Sequence, residues 1–266
     1  MIAMAENILV RLARNACERV EAAKRARPLA VLQEQAISMD CETGFPFERA
    51  LFGDGMAFIC ECKKASPSKG LIAPEFPYVQ IAREYEAAGA AAISVLTEPK
   101  WFLGRDEYLR EIAEAVKIPC LRKDFTVDEY MIYEAKLLGA SAVLLICALL
   151  DTETLRRYIA VCDALGLSAL VEAHDEAEIG GAVSAGARVI GVNNRNLKDF
   201  TVDLGNSRRL RALAPKETLF VAESGIQTAA DVRTLRDCGV NAVLVGEALM
   251  RAPDKTAALA ELRGGA

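Results

Sequence analysis

The chain has 266 residues and a formal net charge of −5 at pH 7, with 52% hydrophobic and 26% charged residues. This composition supplies enough apolar side chains for a buried core, and the acidic balance excludes a broad basic surface for nucleic acid or anionic lipid. We therefore expect a globular protein that holds any anionic ligand in a local site.

The first 50 or so residues precede the first predicted strand and include a helical stretch from about Ala5 to Arg25. They lack the apolar core and cleavage site of a signal peptide, and no run of about 18 apolar residues follows. We expect a cytoplasmic protein with no membrane partner. Residues 1–50 are predicted to be an N-terminal helical extension of a barrel over residues 57–251, within one domain of residues 1–266.

Four segments share one pattern, in which a helical stretch ends at a glycine and a short apolar strand follows. The glycines are Gly89, Gly139, Gly186 and Gly239, at intervals of 50, 47 and 53 residues. These intervals are about twice the length of one βα unit in a barrel of about 250 residues. Glycine ends a helix readily because it adopts the left-handed conformation at little cost.

Four further apolar runs lie between these segments: AFICEC, KIPCLRKDF, LSALVEAH and ETLFVAES. The resulting eight strands are short and almost continuously apolar, as expected when helices cover one face and the barrel interior buries the other. We predict an α/β fold, a (β/α)8 TIM barrel. An open doubly wound sheet has the same alternation, but no glycine-rich dinucleotide loop follows the first strand.

Charged and polar side chains stand at the carboxyl ends of these strands, where barrel active sites assemble. They are Glu61, Lys63, Lys123, Glu172, Asn193, Arg195, Glu223 and Ser224. Salt bridges at the rim would explain any one of them, but several charges at one mouth favour proton-transfer chemistry. Strand alternation predicts that Glu61 and Lys63 face inward, whereas Cys60 and Cys62 face the helices.

Glycines after the last two strands indicate a phosphate site. Ser224-Gly225 and Gly246-Glu247 lie where barrels bind phosphate through backbone N–H groups and a helix N-terminus, provided that the Glu247 side chain turns outward. The segment Ser66-Pro67-Ser68-Lys69-Gly70 predicts a loop over an anion, with a plain solvated turn as the alternative.

Metal binding is not expected. The eight cysteines are scattered, Cys60-x-Cys62 has no second cluster, and His174 is the single histidine. This distribution disfavours zinc, haem and histidine-based triads. Cys60, Cys120 and Cys147 lie in apolar runs and are predicted to be reduced thiols in the core.

Six motifs from about residue 57 to 251 resemble, in order and spacing, those of indole-3-glycerol-phosphate synthases: ECKKASPSKG, LRKDF, LVEAH, GVNNRNL, VAESGI and VLVGEALM. The resemblance implies a lyase of tryptophan biosynthesis. Its substrate would be 1-(2-carboxyphenylamino)-1-deoxyribulose 5-phosphate, which loses carbon dioxide and water as the pyrrole ring closes. It implies no metal or organic cofactor. We expect a monomer with this phosphorylated small molecule as its ligand and no nucleic-acid partner.

The same motifs imply roles for individual residues. The catalytic residues would be Glu61, Lys63, Lys123, Glu172, Asn193 and Ser224. The substrate and phosphate ligands would be Ser66, Arg195, Gly225, Gly246 and Glu247. The apolar wall around the aromatic ring would comprise Phe102, Phe125, Leu144 and Leu197, although barrel packing would equally explain each of these four.

Ring closure needs a cation that protonates the carbonyl oxygen. We assign this step to Lys123, and we expect burial and nearby cations to lower its pKa towards the working pH. Glu172 and Glu61 are assigned to general acid/base work and charge stabilisation, and Asn193 to orienting the substrate by hydrogen bonds.

Two rival functions remain. A phosphoribosylanthranilate isomerase would need a cysteine base and an aspartate acid at strand ends, whereas the first strand here offers Glu61 and Lys63. A catalytically silent phosphosugar-binding module would lack some of the charged rim residues, and none of the matched set is missing.

Overall fold

The computed structural model describes residues 8–53, 55–196 and 200–264. Its strands are β1 (Ala57–Cys62), β2 (Ala65–Ser66), β3 (Gly70–Leu71), β4 (Ala92–Leu96), β5 (Cys120–Lys123), β6 (Ala142–Ile146), β7 (Ser168–Ala173), β8 (Val189–Asn193), β9 (Leu219–Glu223) and β10 (Ala242–Val245). Strands β1 and β4 to β10 are parallel and close into a barrel in chain order, with β1 paired to β10. Strands β2 and β3 form a separate antiparallel hairpin. The predicted (β/α)8 barrel is confirmed.

Helices precede the barrel and connect its strands. They are α1 (Ile8–Ala26), α2 (Leu29–Ile37), α3 (Pro46–Leu51), α4 (Tyr78–Ala87), α5 (Asp106–Ala115), α6 (Tyr130–Leu137), α7 (Thr152–Ala164), α8 (Glu176–Ala185), α9 (Gly205–Arg211), α10 (Ala229–Asp237), α11 (Glu247–Arg251) and α12 (Lys255–Arg263). Among the residues described, no helix is long and apolar enough to cross a membrane.

The repeated glycines end helices as predicted. Gly89, Gly139, Gly186 and Gly239 follow α4, α6, α8 and α10, and their φ angles lie between +82° and +89°. A side chain would be strained in this left-handed conformation, so the glycine allows the chain to leave each helix and enter the next strand.

Two apolar layers lie on the two faces of the barrel wall. Ile59, Leu121 and Leu170 belong to the layer that fills the barrel. Cys60 and Cys62 belong to the layer between strands and helices, which confirms the predicted alternation along β1. All eight cysteines are free thiols, and burial raises the pKa of Cys60 to about 12.

The N-terminal extension contacts the barrel at two places. Helices α1 and α2 pack on α6, where Val20 and Leu32 form one apolar cluster with Tyr130. Helix α3 places Phe47 and Leu51, both buried, in the interior layer at the amino end of the barrel. The predicted helix from Ala5 to Arg25 is observed as α1, and its residues 5–7 lie outside the described part.

Candidate active site

A cavity of about 1010 Å³ opens at the carboxyl ends of the barrel strands. The predicted residues that line it are Glu61, Lys63, Ser66, Phe102, Lys123, Phe125, Leu144, Glu172, Asn193, Arg195, Ser224, Gly225, Gly246 and Glu247. Leu197, the remaining predicted residue, lies outside the described residues. Side chains from distant segments therefore meet in one site because the barrel brings its strand ends to one rim.

Lys123 is the central cation of this site. Its Nζ lies 3.2 Å from Glu172 Oε2 and 3.1 Å from Glu223 Oε2, and all three side chains are largely buried. Burial would lower the pKa of Lys123, but the carboxylates of Glu223 and Glu172 outweigh burial and raise that pKa. The expectation of a lowered pKa was wrong, because the neighbours of Lys123 are anions rather than cations. Lys123 is therefore charged at neutral pH.

The two carboxylates beside Lys123 differ in protonation. Burial would raise the pKa of Glu172, but Lys123 and His174 lower it, and Asn193 Nδ2 lies 3.4 Å from its Oε1. Burial raises the pKa of Glu223 to about 7, and the nearby charge of Glu172 adds to this effect against the opposing effect of Lys123. Near neutral pH, Glu172 is ionised while Glu223 is partly protonated.

Glu61 and Lys63 form a second charge pair on the rim. Both line the cavity, and their side chains contact each other through Nζ and Oε1. A Cβ atom at Gly246 would overlap the Glu61 carboxylate and crowd Lys63 Nζ. Gly246 therefore makes room for this pair, whether or not its N–H group also binds phosphate.

The predicted phosphate ligands lie at the ends of β8, β9 and β10 and in the β2–β3 hairpin, with Arg195 after β8. Ser224 and Gly225 have φ angles of +66° and +82°, so β9 ends in a left-handed turn. The Glu247 carboxylate lies 3.1 Å from Arg251 Nε and 3.6 Å from Lys69 Nζ, so cations balance its charge. Ser66 is paired in the hairpin and buried, whereas Lys69 and Gly70 at the tip of the turn are exposed.

One wall of the cavity is apolar. The ring centroids of Phe102 and Phe125 are 6.1 Å apart, and Leu144 is a buried neighbour on the barrel floor. The loop that carries Phe102 is fixed by Glu98, a fully buried residue. The Glu98 carboxylate accepts backbone N–H groups from Lys100, Trp101 and Phe102.

Glu223 lies at the end of its strand, as predicted, but no sequence motif assigns it a role. Strand alternation could have predicted that Glu223 faces the barrel interior, because Val221 lies there and Glu223 is two residues further along the same strand. His174 is the single histidine of the chain, and the sequence predicts no catalytic triad around it. Its Nε2 lies 3.5 Å from Glu172 Oε1, so it lowers the pKa of that carboxyl.

Residues 9–262 match the family model described as indole-3-glycerol phosphate synthase. The chain belongs to this family. A relative of this name from Ruminiclostridium cellulolyticum is 56% identical over 259 residues, which cover 97% of this chain and 100% of the relative. Another, from Lachnoclostridium phytofermentans, is 48% identical over 267 residues, which cover 96% of this chain and 98% of the relative. Family membership identifies a carboxy-lyase of tryptophan biosynthesis.

Solved structures support the fold independently. The crystal structure of a 3-hexulose-6-phosphate synthase superposes with a TM-score of 0.65 and 16% sequence identity, covering 79% of this chain and 99% of the other. At this identity the likeness concerns the barrel alone.

Proposed function

We propose that the residues around Lys123 catalyse closure of the indole ring on 1-(2-carboxyphenylamino)-1-deoxyribulose 5-phosphate. The observation that carries this proposal is a buried cation held between two carboxylates of different pKa, at the base of a cavity with an apolar wall. Proton donors and acceptors with separated pKa values are what a sequence of condensation and dehydration requires.

The reaction takes up one proton overall when the substrate carboxylate is ionised. A bond forms between the ring carbon that bears the carboxylate and the carbonyl carbon, and the carbonyl oxygen receives a proton. Carbon dioxide then leaves, and its bonding electrons restore the aromatic ring. The new hydroxyl departs as water with a second proton, while one carbon-bound proton is removed. Two protons are supplied and one is recovered.

Lys123 supplies the first proton. The oxygen that develops during ring closure is an alkoxide, which is more basic than an amine, so a charged lysine can protonate it even though its own pKa is raised. Before transfer, the same ammonium stabilises the developing negative charge in a site with little water. Because its pKa is raised, Lys123 is protonated when the substrate binds.

The two carboxyl groups divide the dehydration step between them. Glu223, whose pKa of about 7 leaves it partly protonated, gives a proton to the departing hydroxyl. Glu172, which is ionised, removes the carbon-bound proton. Glu61 and Lys63 stabilise charge from the opposite rim, with Glu61 as a further acid/base group. Glu172 and Glu223 take opposite roles because their environments shift their pKa values in opposite directions.

The remaining residues hold the flexible substrate in a reactive shape. Asn193 and Ser224 donate hydrogen bonds to its oxygen atoms. The proposed phosphate ligands are Ser66, Arg195, Gly225, Gly246 and the backbone of Glu247. The proposed ring pocket comprises Phe102, Phe125, Leu144 and Leu197. Anchoring both ends brings the two reacting carbons together, and such positioning accounts for a large part of the rate in intramolecular reactions.

We also propose that residues 1–266 form a single domain with an extension at 1–50 and a barrel at 57–251. The apolar contacts of α1, α2 and α3 with the barrel support this assignment. The chain acts as a cytoplasmic monomer on a phosphorylated small molecule, without metal, organic cofactor or nucleic acid. Light scattering of the purified protein tests the monomer, since a dimer would double the mass of 28.7 kDa.

Purified protein is mixed with the substrate while indole fluorescence and a pH indicator are recorded together in weak buffer. We expect one proton to be taken up as each indole forms, followed by a slower return of protons as the released carbon dioxide hydrates, and we expect Glu172→Gln to abolish both signals. Absence of product above background would refute the proposed reaction. Product formation at the wild-type rate by folded Glu172→Gln would refute the assigned base.

A further inference from the structure

A buried carboxylate separates two residues of the proposed site. Lys123, Asp124 and Phe125 all line the active-site cavity, and Asp124 is only 1% exposed. Burial would raise the pKa of Asp124, but the adjacent guanidinium of Arg19 lowers it, so this carboxylate is charged. A charge buried this deeply needs a counter-ion.

Four hydrogen bonds hold the Asp124 carboxylate. Arg19 of α1 donates to Oδ1 at 2.7 Å and to Oδ2 at 3.1 Å. The Thr97 hydroxyl donates to Oδ2 at 2.7 Å, and the backbone N–H of Phe125 donates to Oδ1 at 2.8 Å. Thr97 N–H also donates to the Lys123 carbonyl at 3.2 Å. The carboxylate therefore connects α1 to the end of β4 and to the backbone of Phe125. Through Thr97 it is also connected to the backbone of Lys123.

Arg19 is the cation bonded to this carboxylate, although a second guanidinium lies close by. Arg122 is 2% exposed, and its NH2 group donates at 2.7 Å both to Asp106 and to Glu134. Since two other carboxylates bind Arg122, its charge is already balanced. The charge of Asp124 is neutralised chiefly by the bidentate pair with Arg19, a geometry that also fixes the orientation of the carboxylate.

We infer that Arg19, a residue of the N-terminal extension outside the cavity lining, is a positioning residue for the reaction that acts on Lys123 and Phe125 through Asp124. Without Arg19, the Asp124 carboxylate would have to rotate towards water or take up a proton. Rotation releases Phe125 N–H and Thr97, and protonation weakens both hydrogen bonds, which hold the backbone beside Lys123. A misplacement of about 1 Å costs roughly 10²-fold in rate. The inference rests on the proposed role of Lys123.

The test compares two α1 variants that each lose one ion pair with the barrel. Arg19→Met removes the pair with Asp124. Lys24→Met is the matched control, since its Nζ lies 2.7 Å from Asp128 Oδ2 and this pair does not involve the Lys123–Phe125 segment. Because exposed pairs contribute little, the control should stay near wild type. We expect Arg19→Met to lower kcat by about ten- to a hundredfold with KM within about threefold, since Arg19 does not contact substrate.

Two further measurements separate positioning from folding. Arg19→Lys should recover part of the lost kcat, because a lysine retains the charge without the bidentate geometry. Hydrogen exchange should be faster at the Phe125 amide in Arg19→Met than in Lys24→Met, when both are compared at equal folded fraction. This readout does not depend on activity, so it would still decide the positioning if the proposed reaction failed. Equal kcat and equal Phe125 exchange in the two variants would overturn the inference.

Discussion

Lys123→Met tests the central cation of the site in two ways. Turnover should fall by at least about 10²- to 10⁴-fold, because methionine cannot donate the proton. The fold should also lose stability, since Glu172 and Glu223, each 3% exposed at the side chain, would lose their shared counter-ion. An apolar isostere alone does not preserve this site, because the packing of Lys123 is inseparable from the charges around it.

The size of the stability loss depends on pH. Breaking a buried ion pair costs about 3–5 kcal/mol when the remaining charge stays buried. Without Lys123 the pKa values of both carboxyls rise in the folded state above the value of about 4.5 expected in the unfolded chain. The folded variant then binds more protons than the unfolded one, so its stability falls as pH rises from about 4.5 through the raised values. We expect most of the loss at pH 8 and little of it at pH 5.

Urea unfolding of wild type and Lys123→Met near pH 5 and near pH 8 measures this difference. Lys123→Met/Glu172→Gln is the control, since it removes one of the two unpaired carboxylates. The double variant should regain stability at pH 8 but remain inactive. An equal loss of stability at both pH values would mean that the carboxylates do not depend on Lys123, and the electrostatic account of the site would be wrong.

Three other substitutions test separate parts of the site. Cys62→Val should leave turnover within a few-fold of wild type, because Cys62 faces the helices; a kinetic assay of a stably folded variant decides this. Gly246→Ala should lower kcat by about tenfold or more by displacing the Glu61–Lys63 pair, and unchanged kcat would contradict the close contact. The raised pKa of Glu223 predicts that the wild type loses roughly 3 kcal/mol of unfolding free energy as pH rises from about 4.5 to 7. Glu223→Gln should not show this pH-dependent loss in urea unfolding.

The architecture followed from the sequence because its signals are local. A glycine that ends a helix and an apolar run that follows it lie within about ten residues, and strand alternation fixes which side chains face inward. These rules placed Glu61 and Lys63 in the cavity and Cys62 outside it. Once closure of the barrel is assumed, the ends of the remaining strands are also predicted to meet at one rim.

The electrostatics of the site did not follow from the sequence, because they depend on pairings between strands. Lys123 lies at the end of β5, whereas its two carboxylate partners come from β7 and β9. No local pattern indicates which charged residues meet across the barrel, so the sign of the pKa change was mispredicted. The Arg19–Asp124 pair spans 105 residues and depends on how α1 docks, which periodicity cannot specify.

The closure of the amino end of the barrel by α3 has a consequence for folding during synthesis. Phe47 and Leu51 leave the ribosome before β1, yet the interior layer that they join includes Val221 of β9 and Ala242 of β10. Helix α3 is therefore synthesised before the barrel, whereas β9 and β10, which complete the interior layer, are synthesised last. Phe47 and Leu51 therefore reach their full set of native contacts only after β9 and β10 have been synthesised, so this part of the interior layer is completed late.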